Sequence, residues 1–242
     1  MPEGRSPSLS VMMLTLNEES AIEKVVNDIR RVCGDCEIVV VDSSSDRTPE
    51  IAESLGCKLV RQFPPRGYGN AFDSGLKSSS GDIIVTLDCD DTYPVETIPI
   101  LMAKMKEGYD VVSASRLPRK PASMKLANYI ANWIFSKLSL ILCGVSTTDV
   151  HTGMRAYTKA VVRDFKYDPV GMALPVELYL GPARVGYKCT EIFIEYRERI
   201  GDSKLDPLPG TIWTLKRIWK YRRWSKIDHK PSIGVDVKSI SQ

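Results

Sequence analysis

The stretch Asp82-Ile83-Ile84-Val85-Thr86-Leu87-Asp88-Cys89-Asp90-Asp91 constrains the fold more than any other part of the chain. An apolar run rich in β-branched residues reads as a buried strand, and this one ends abruptly in three carboxylates. Its charge then sits at the strand's C-terminal end, where open α/β sheets bind their ligands. Asp88 and Asp90 are two residues apart, so in extended chain both point to the same side and can share one hard divalent cation. A solvated acidic turn would give the same short pattern, so the rest of the chain has to decide.

Upstream, apolar runs and amphipathic runs alternate. Leu9 to Leu16 reads as a strand ending at Asn17, followed by a helix from Glu18 and Glu19 to about Arg31 with Ile22, Val25, Val26 and Ile29 on one face. Glu37 to Val41 is a second strand and ends on Asp42. After the polar turn Ser43-Ser44-Ser45-Asp46, Thr48 caps a helix that starts with Pro49 and stops at Gly56. Cys57 to Arg61 is a third strand, a loop follows, and Asn70 to Ser78 is helical. Beyond the acidic strand, Pro94 opens a helix to about Lys106, and Asp110 to Ala114 is a strand closing on Ser115-Arg116. This order predicts an α/β domain, a mostly parallel sheet with helices on both faces. Asn17, Asp42, Asp88, Asp90 and Arg116 would all gather at one end of it, the place for a nucleotide-type site.

Composition sets limits. The 242 residues are 43% hydrophobic and 26% charged, enough apolar material for a full core. A net charge of +3 is too small to argue for nucleic acid. The N-terminal residues show no secretory pattern, and the six scattered cysteines are simplest as reduced thiols, so a cytoplasmic location is expected. Cys33-Gly34-Asp35-Cys36 has no second pair to complete a zinc site and reads as a loop before a strand.

The ordered motifs resemble family 2 glycosyltransferases, most of all the dolichol-phosphate mannose synthases and related polyprenyl-phosphate glycosyltransferases. They are Leu16-Asn17-Glu18-Glu19, Asp42-Ser43-Ser44-Ser45-Asp46-Arg47-Thr48, Arg66-Gly67-Tyr68-Gly69-Asn70-Ala71, and Leu87-Asp88-Cys89-Asp90 with Pro94. Ser113-Ala114-Ser115-Arg116, Asp149 with Thr152-Gly153-Met154-Arg155, Glu177, and Arg199-Ile200-Gly201-Asp202-Ser203-Lys204-Leu205 continue the series. The resemblance implies a GT-A fold, Rossmann-like, and a nucleotide-sugar donor. Leu16, Asn17, Glu18, Asp42 and Cys89 would line the donor site, and Asp88 and Asp90 would hold Mg2+ or Mn2+ on the diphosphate. Where the synthases carry a glutamine two positions after the second Asp, this chain has Thr92.

The acceptor follows from an omission. Many inverting glycosyltransferases carry a late Glu-Asp base for a hydroxyl acceptor, and no such sequence occurs here. A phosphate acceptor explains this, because a monoester with a second pKa of about 6 is already mostly dianionic at neutral pH. It needs cations instead: the resemblance gives Arg116 that role and places Lys125 and Asn128 beside it, with Lys204 in a basic loop over the phosphates. Asp90, Arg116 and Lys204 are the expected catalytic residues.

Two segments bear on a membrane. Leu126 to Cys143 carries Ile130, Trp133, Ile134, Phe135, Leu138, Leu140, Ile141 and Leu142, while Asn128, Asn132 and Ser136 form a polar stripe. An interfacial helix and a helix buried against the sheet both fit, whereas the polar groups argue against spanning. Trp213 to Trp224 interleaves aromatics with cations, the composition of an interfacial helix on anionic lipid. The expected organisation is a flexible 1–8, a catalytic domain 9–205, a basic aromatic helix 206–226 and a flexible tail 227–242. The expected protein transfers a hexose, mannose from GDP-mannose, to a polyprenyl phosphate at the cytoplasmic face of a membrane, as a peripheral enzyme or one anchored by a partner subunit. The alternatives are another nucleotide sugar such as a UDP-sugar, a non-lipid hydroxyl acceptor, or a non-catalytic nucleotide-sugar-binding protein.

Overall fold

The computed structural model describes residues 7–117, 119–201 and 207–222. Lys204 and the tail 227–242 lie outside them.

The strands are β1 (Leu9–Thr15), β2 (Glu37–Asp42), β3 (Lys58–Arg61), β4 (Ile83–Asp88), β5 (Val111–Ser115), β6 (Arg155–Thr158) and β7 (Cys189–Phe193). They form one sheet in the order β3-β2-β1-β4-β6-β5-β7. All pairings are parallel except the two made by β6, which runs antiparallel to both β4 and β5. The expected mostly parallel, Rossmann-like sheet is present. The register sets Thr15 beside Asp42 and Leu14 beside Asp88, so the first, second and fourth strands end together.

The helices are α1 (Ile22–Cys33), α2 (Thr48–Ser54), α3 (Tyr68–Ser78), α4 (Ile98–Lys106), α5 (Leu126–Leu138), α6 (Lys159–Asp164), α7 (Leu174–Val185) and α8 (Pro207–Tyr221). Strand side chains alternate between two apolar layers. Val11 and Met13 join Ile22, Val25, Ile29 and Leu101 on the face covered by α1 and α4. Met12 and Val39 join Phe72, Leu76, Leu174 and Ile218 on the other, covered by α3, α7 and α8.

Several boundaries differ from the sequence reading, among them the start of α3, at Tyr68 and not Asn70. The first helix begins at Ile22, not Glu18, because Asn17 adopts φ 55° and the amides of Asn17 and Glu18 donate to Ser44 Oγ and Thr48 Oγ1. Pro94 leads first into a single 3-10 turn, Val95–Thr97, and only then into α4. The run 126–143 is α-helical to Leu138 and continues as a π-helical turn over Ser139–Cys143. Elements such as α7 show no clear period because Leu174 to Pro182 are all buried, leaving no polar face.

Candidate active site

Where the strand order reverses, between β1 and β4, an open α/β sheet leaves a crevice at the carboxyl ends of its strands. Here the crevice has a volume of about 290 Å³ and is lined by Leu16, Glu18, Tyr68, Asp88, Cys89 and Arg199 among others. Four expected donor residues therefore meet in it.

Asp88 is the last residue of β4, and its carboxylate accepts no hydrogen bond among the described residues and faces the crevice. Burial raises its pKa to about 7, with Asp90 adding to the rise. Gly153 lies directly behind it: a Cβ there would stand 3.0 Å from a carboxylate oxygen. The Gly153 amide donates to Tyr93 Oη at 2.7 Å, so the Thr152-Gly153 turn forms a floor where a larger residue would crowd the Asp88 carboxylate.

Asp90 is 2% exposed and fully engaged. Its Oδ1 accepts from the Thr92 amide at 3.1 Å and hydroxyl at 2.6 Å. Its Oδ2 accepts from Arg199 Nε at 2.8 Å, with Arg199 Nη2 also in contact. The chain around Arg199 is tied down as well, since the amides of Arg197 and Ile200 donate to the carbonyls of Thr92 and Asp90. The residue that replaces the family's glutamine thus orients a carboxylate. As for a divalent cation, one carboxylate is open and the second is countered by a guanidinium. No group of three or more ligating side chains occurs among the described residues. Such a donor set fits a cation only if the ligand's own phosphate oxygens complete its shell.

Asp42 closes β2 at the expected end of the sheet but does not line the crevice. It is fully buried, not in the crevice wall, and its oxygens accept from Thr15 Oγ1, Ser44 Oγ, the Ser44 amide and the Arg61 guanidinium. It shapes the turn after β2; Asn17 does the same from the other side, accepting from the Ser45 amide at 2.8 Å.

A second cavity, about 350 Å³, opens beside the first and is lined by Arg116 and Asn128, by Asn132 and Phe135 of α5, and by Gly210 and Thr211 of α8. Arg116 is locked: its Nε and Nη2 donate to the two oxygens of Asp149 at 2.6 and 2.9 Å, and its guanidinium lies 5.2 Å from the Tyr196 ring centre. Asp149 is fully buried and its pKa is lowered, the attraction and hydrogen bonds of Arg116 outweighing burial. Arg116 Nη1 has no part in this fork. Lys125, the residue before α5, is exposed and does not line this cavity.

His151 was missed by sequence reasoning, although it lies between Asp149 and Thr152. Its Nδ1 is 2.8 Å from Asn132 Oδ1 and its Nε2 is 2.6 Å from Thr214 Oγ1. Asn132 Nδ2 donates to the Asn128 carbonyl, which turns Oδ1 toward the imidazole, and Thr214 Oγ1 donates to the Gly210 carbonyl. Burial lowers the His151 pKa to about 4; Arg116 and Arg155 push the same way and Asp149 opposes them. Neutral His151 thus bridges α5 and α8 over the cavity.

Residues 10–165 match the glycosyl transferase family 2. The chain is 41% identical over 211 residues to a dolichyl-phosphate hexose transferase of Haloferax volcanii, spanning 87% of this chain and 92% of that one. It is 29% identical to a dolichol-phosphate mannosyltransferase of Pyrococcus furiosus over 89% of this chain and 64% of the other. In fold it is similar to glucosyl-3-phosphoglycerate synthase of Mycobacterium tuberculosis, solved with Mn2+, UDP-glucose and phosphoglyceric acid, with a TM-score of 0.72 at 21% identity over 89% and 80% of the two chains. The chain belongs to glycosyl transferase family 2. It is a glycosyltransferase with the GT-A fold.

Proposed function

We propose that the protein transfers a hexose, mannose from GDP-mannose, to a polyprenyl phosphate with inversion at the anomeric carbon. The observation that carries this reading is the second cavity, polar at Arg116 and roofed by α5 and α8, which carry exposed apolar side chains on their outer faces. Similarity to the dolichyl-phosphate hexose transferase over most of both chains supports it.

The donor's diphosphate would lie in the crevice against Asp88 and Arg199. Bound between Asp88, Asp90 and the diphosphate, Mg2+ or Mn2+ would neutralise charge on the leaving group. Arg199 holds Asp90 in place and adds a positive charge at the same spot. Arg116, aimed by Asp149, would hold the acceptor phosphate through Nη1. Because a phosphate monoester is already anionic, no protein base has to accept a proton. Lys204, beyond the described residues, is assigned to the same phosphates on the resemblance alone, and Lys125 would act from the rim.

The membrane side is the outer surface of the same two helices. Leu126, Ile130, Trp133 and Ile134 are exposed on α5 and Ile141 on the turn after it, and Ile212, Leu215 and Trp219 on α8. Lys137 lies 5.7 Å from the exposed Trp133 ring centre, a cation beside an apolar anchor as at a lipid headgroup layer. The enzyme would sit on a membrane surface by this face, alone or with an anchoring subunit. The test is a panel of labelled nucleotide sugars incubated with the protein, a divalent cation and polyprenyl phosphate. Label from GDP-mannose should enter the organic phase and should not do so with Asp88→Asn; transfer to dephosphorylated polyprenol would refute the acceptor.

A further inference from the structure

Among the described residues, Tyr68 is the one side chain that lines both cavities. It is the first residue of α3 and it is placed with unusual care. Gly67 before it has φ 93°, a region other residues rarely adopt. Gly69 after it donates to the Gly171 carbonyl at 3.0 Å, and a Cβ at Gly69 would come within 2.0 Å of the Pro169 carbonyl oxygen. Backbone contact this close fixes the start of the helix against the 169–171 loop. The ring packs on Phe72 at 6.0 Å between centres.

The phenol, by contrast, has no hydrogen-bond partner among the described residues, although tyrosine hydroxyls in partly enclosed sites usually find one. Burial, with Asp88 next in effect, raises its pKa well above the ordinary value, so it stays protonated and is a hydrogen-bond donor. A fixed ring with an unclaimed donor, between the crevice of Asp88 and the cavity of Arg116, is placed for a ligand group that lies between them.

We propose that Tyr68 contacts both substrates at once, donating its hydrogen bond to a phosphate oxygen where the acceptor phosphate meets the donor sugar. In that step an acceptor phosphate oxygen forms a bond to the anomeric carbon, and the bond from that carbon to the diphosphate breaks. The electron pair leaves on the diphosphate oxygen, and Tyr68 keeps its proton throughout. The inference rests on the polyprenyl-phosphate reading given above.

Tyr68→Phe removes the hydroxyl and keeps the ring, so folding is unchanged and its thermal midpoint serves as the control. Wild type and variant would be compared with GDP-mannose and a polyprenyl phosphate in micelles, with GDP binding measured separately. The expected result is kcat lowered by about tenfold to a hundredfold, the worth of one hydrogen bond to a charged group, with GDP affinity within twofold of wild type. An unchanged kcat overturns the inference and leaves the functional reading intact. Loss of GDP affinity in proportion to kcat also overturns it, because Tyr68 would then serve the donor alone. A wild type that labels no lipid with any nucleotide sugar defeats both.

Discussion

Two helices of similar length face opposite ways. The first, α1, buries Ile22, Val25, Val26 and Ile29 and turns Lys24, Asp28 and Arg31 to solvent, where they pair with one another and with Asp91 and Glu96. The fifth, α5, buries Asn132, Phe135 and Ser136 while Ile130, Trp133 and Ile134 are 47%, 57% and 44% exposed. Apolar residues inside is thus a rule about water, and α5 breaks it on a face that the described residues do not cover. With the turn that follows, it makes the one 18-residue run among the described residues long and apolar enough, by length and composition, to cross a membrane. Its polar stripe is not free to meet lipid, however, because Asn132 is bonded to His151 and to the Asn128 carbonyl. The contrast teaches that a polar stripe can be the inward side of a helix when a cavity lies beneath it.

α8 sharpens the point. Ile218, Tyr221, Thr214 and Arg217 are buried, so the helix belongs to the second core layer. Glu177, fully buried on α7, receives Lys220 at 2.7 Å, Tyr221 Oη at 2.5 Å and Arg217 at 2.8 Å. Arg217 also donates to the carbonyls of Asp168 and Val170. Two of the cations that make this segment look lipid-directed in sequence therefore fasten it to the protein.

The largest expected effect lies in α1. Ile29→Ala should cost about 2–5 kcal/mol of stability, whereas Ile134→Ala should cost less than about 0.5 kcal/mol. Denaturant titration of both variants reads this directly, and equal losses would end the contrast between the helices.

Next comes the inverted face. Asn132→Leu makes α5 more apolar yet leaves His151 Nδ1 without its hydrogen-bond partner, so a loss of about 1–3 kcal/mol is expected from chemical unfolding. A gain in stability would mean that the stripe is merely tolerated.

A smaller effect is expected with pH. His151 titrates near 4 when folded, against 6.5 for the ordinary residue, so the unfolded chain binds more protons between these values. The contribution of neutral His151 is complete above about pH 6.5 and is lost as pH falls toward about 4. His151→Gln should flatten that part of the stability profile; an unchanged slope would assign it to other groups.

Smallest in stability, though not in binding, is the outer face. Changing Ile130, Trp133 and Ile141 together to Ser should shift unfolding by less than about 0.5 kcal/mol per site. It should weaken sedimentation with anionic liposomes by at least about tenfold, given about 1.5–3 kcal/mol for each large apolar side chain fully buried. Lys216→Gln should weaken sedimentation slightly, and Arg217→Gln should instead lower stability. Liposome binding that survives the triple change would assign the α5 face to a protein partner.

The sequence by itself determined the first five strands and the end of the sheet at which their polar residues gather; β6 and β7 were not read from it. Strand alternation, the carboxylates closing β4 and the polar residue after β1 are local signals, set by backbone geometry and by the cost of burying charge. The positions of Asp88, Glu18 and Arg116 were legible for that reason. Only the tertiary structure decided what each polar group touches. Asp42 is consumed by Thr15, Ser44 and Arg61, and Asp90 by Thr92 and Arg199, because partners 19 or 109 residues apart meet through packing that no local pattern records. The same holds for the inward turn of Asn132 and for Tyr68 between two cavities: hydrophobic periodicity tells that a helix has two faces, and the neighbours it packs against decide which of them is inside.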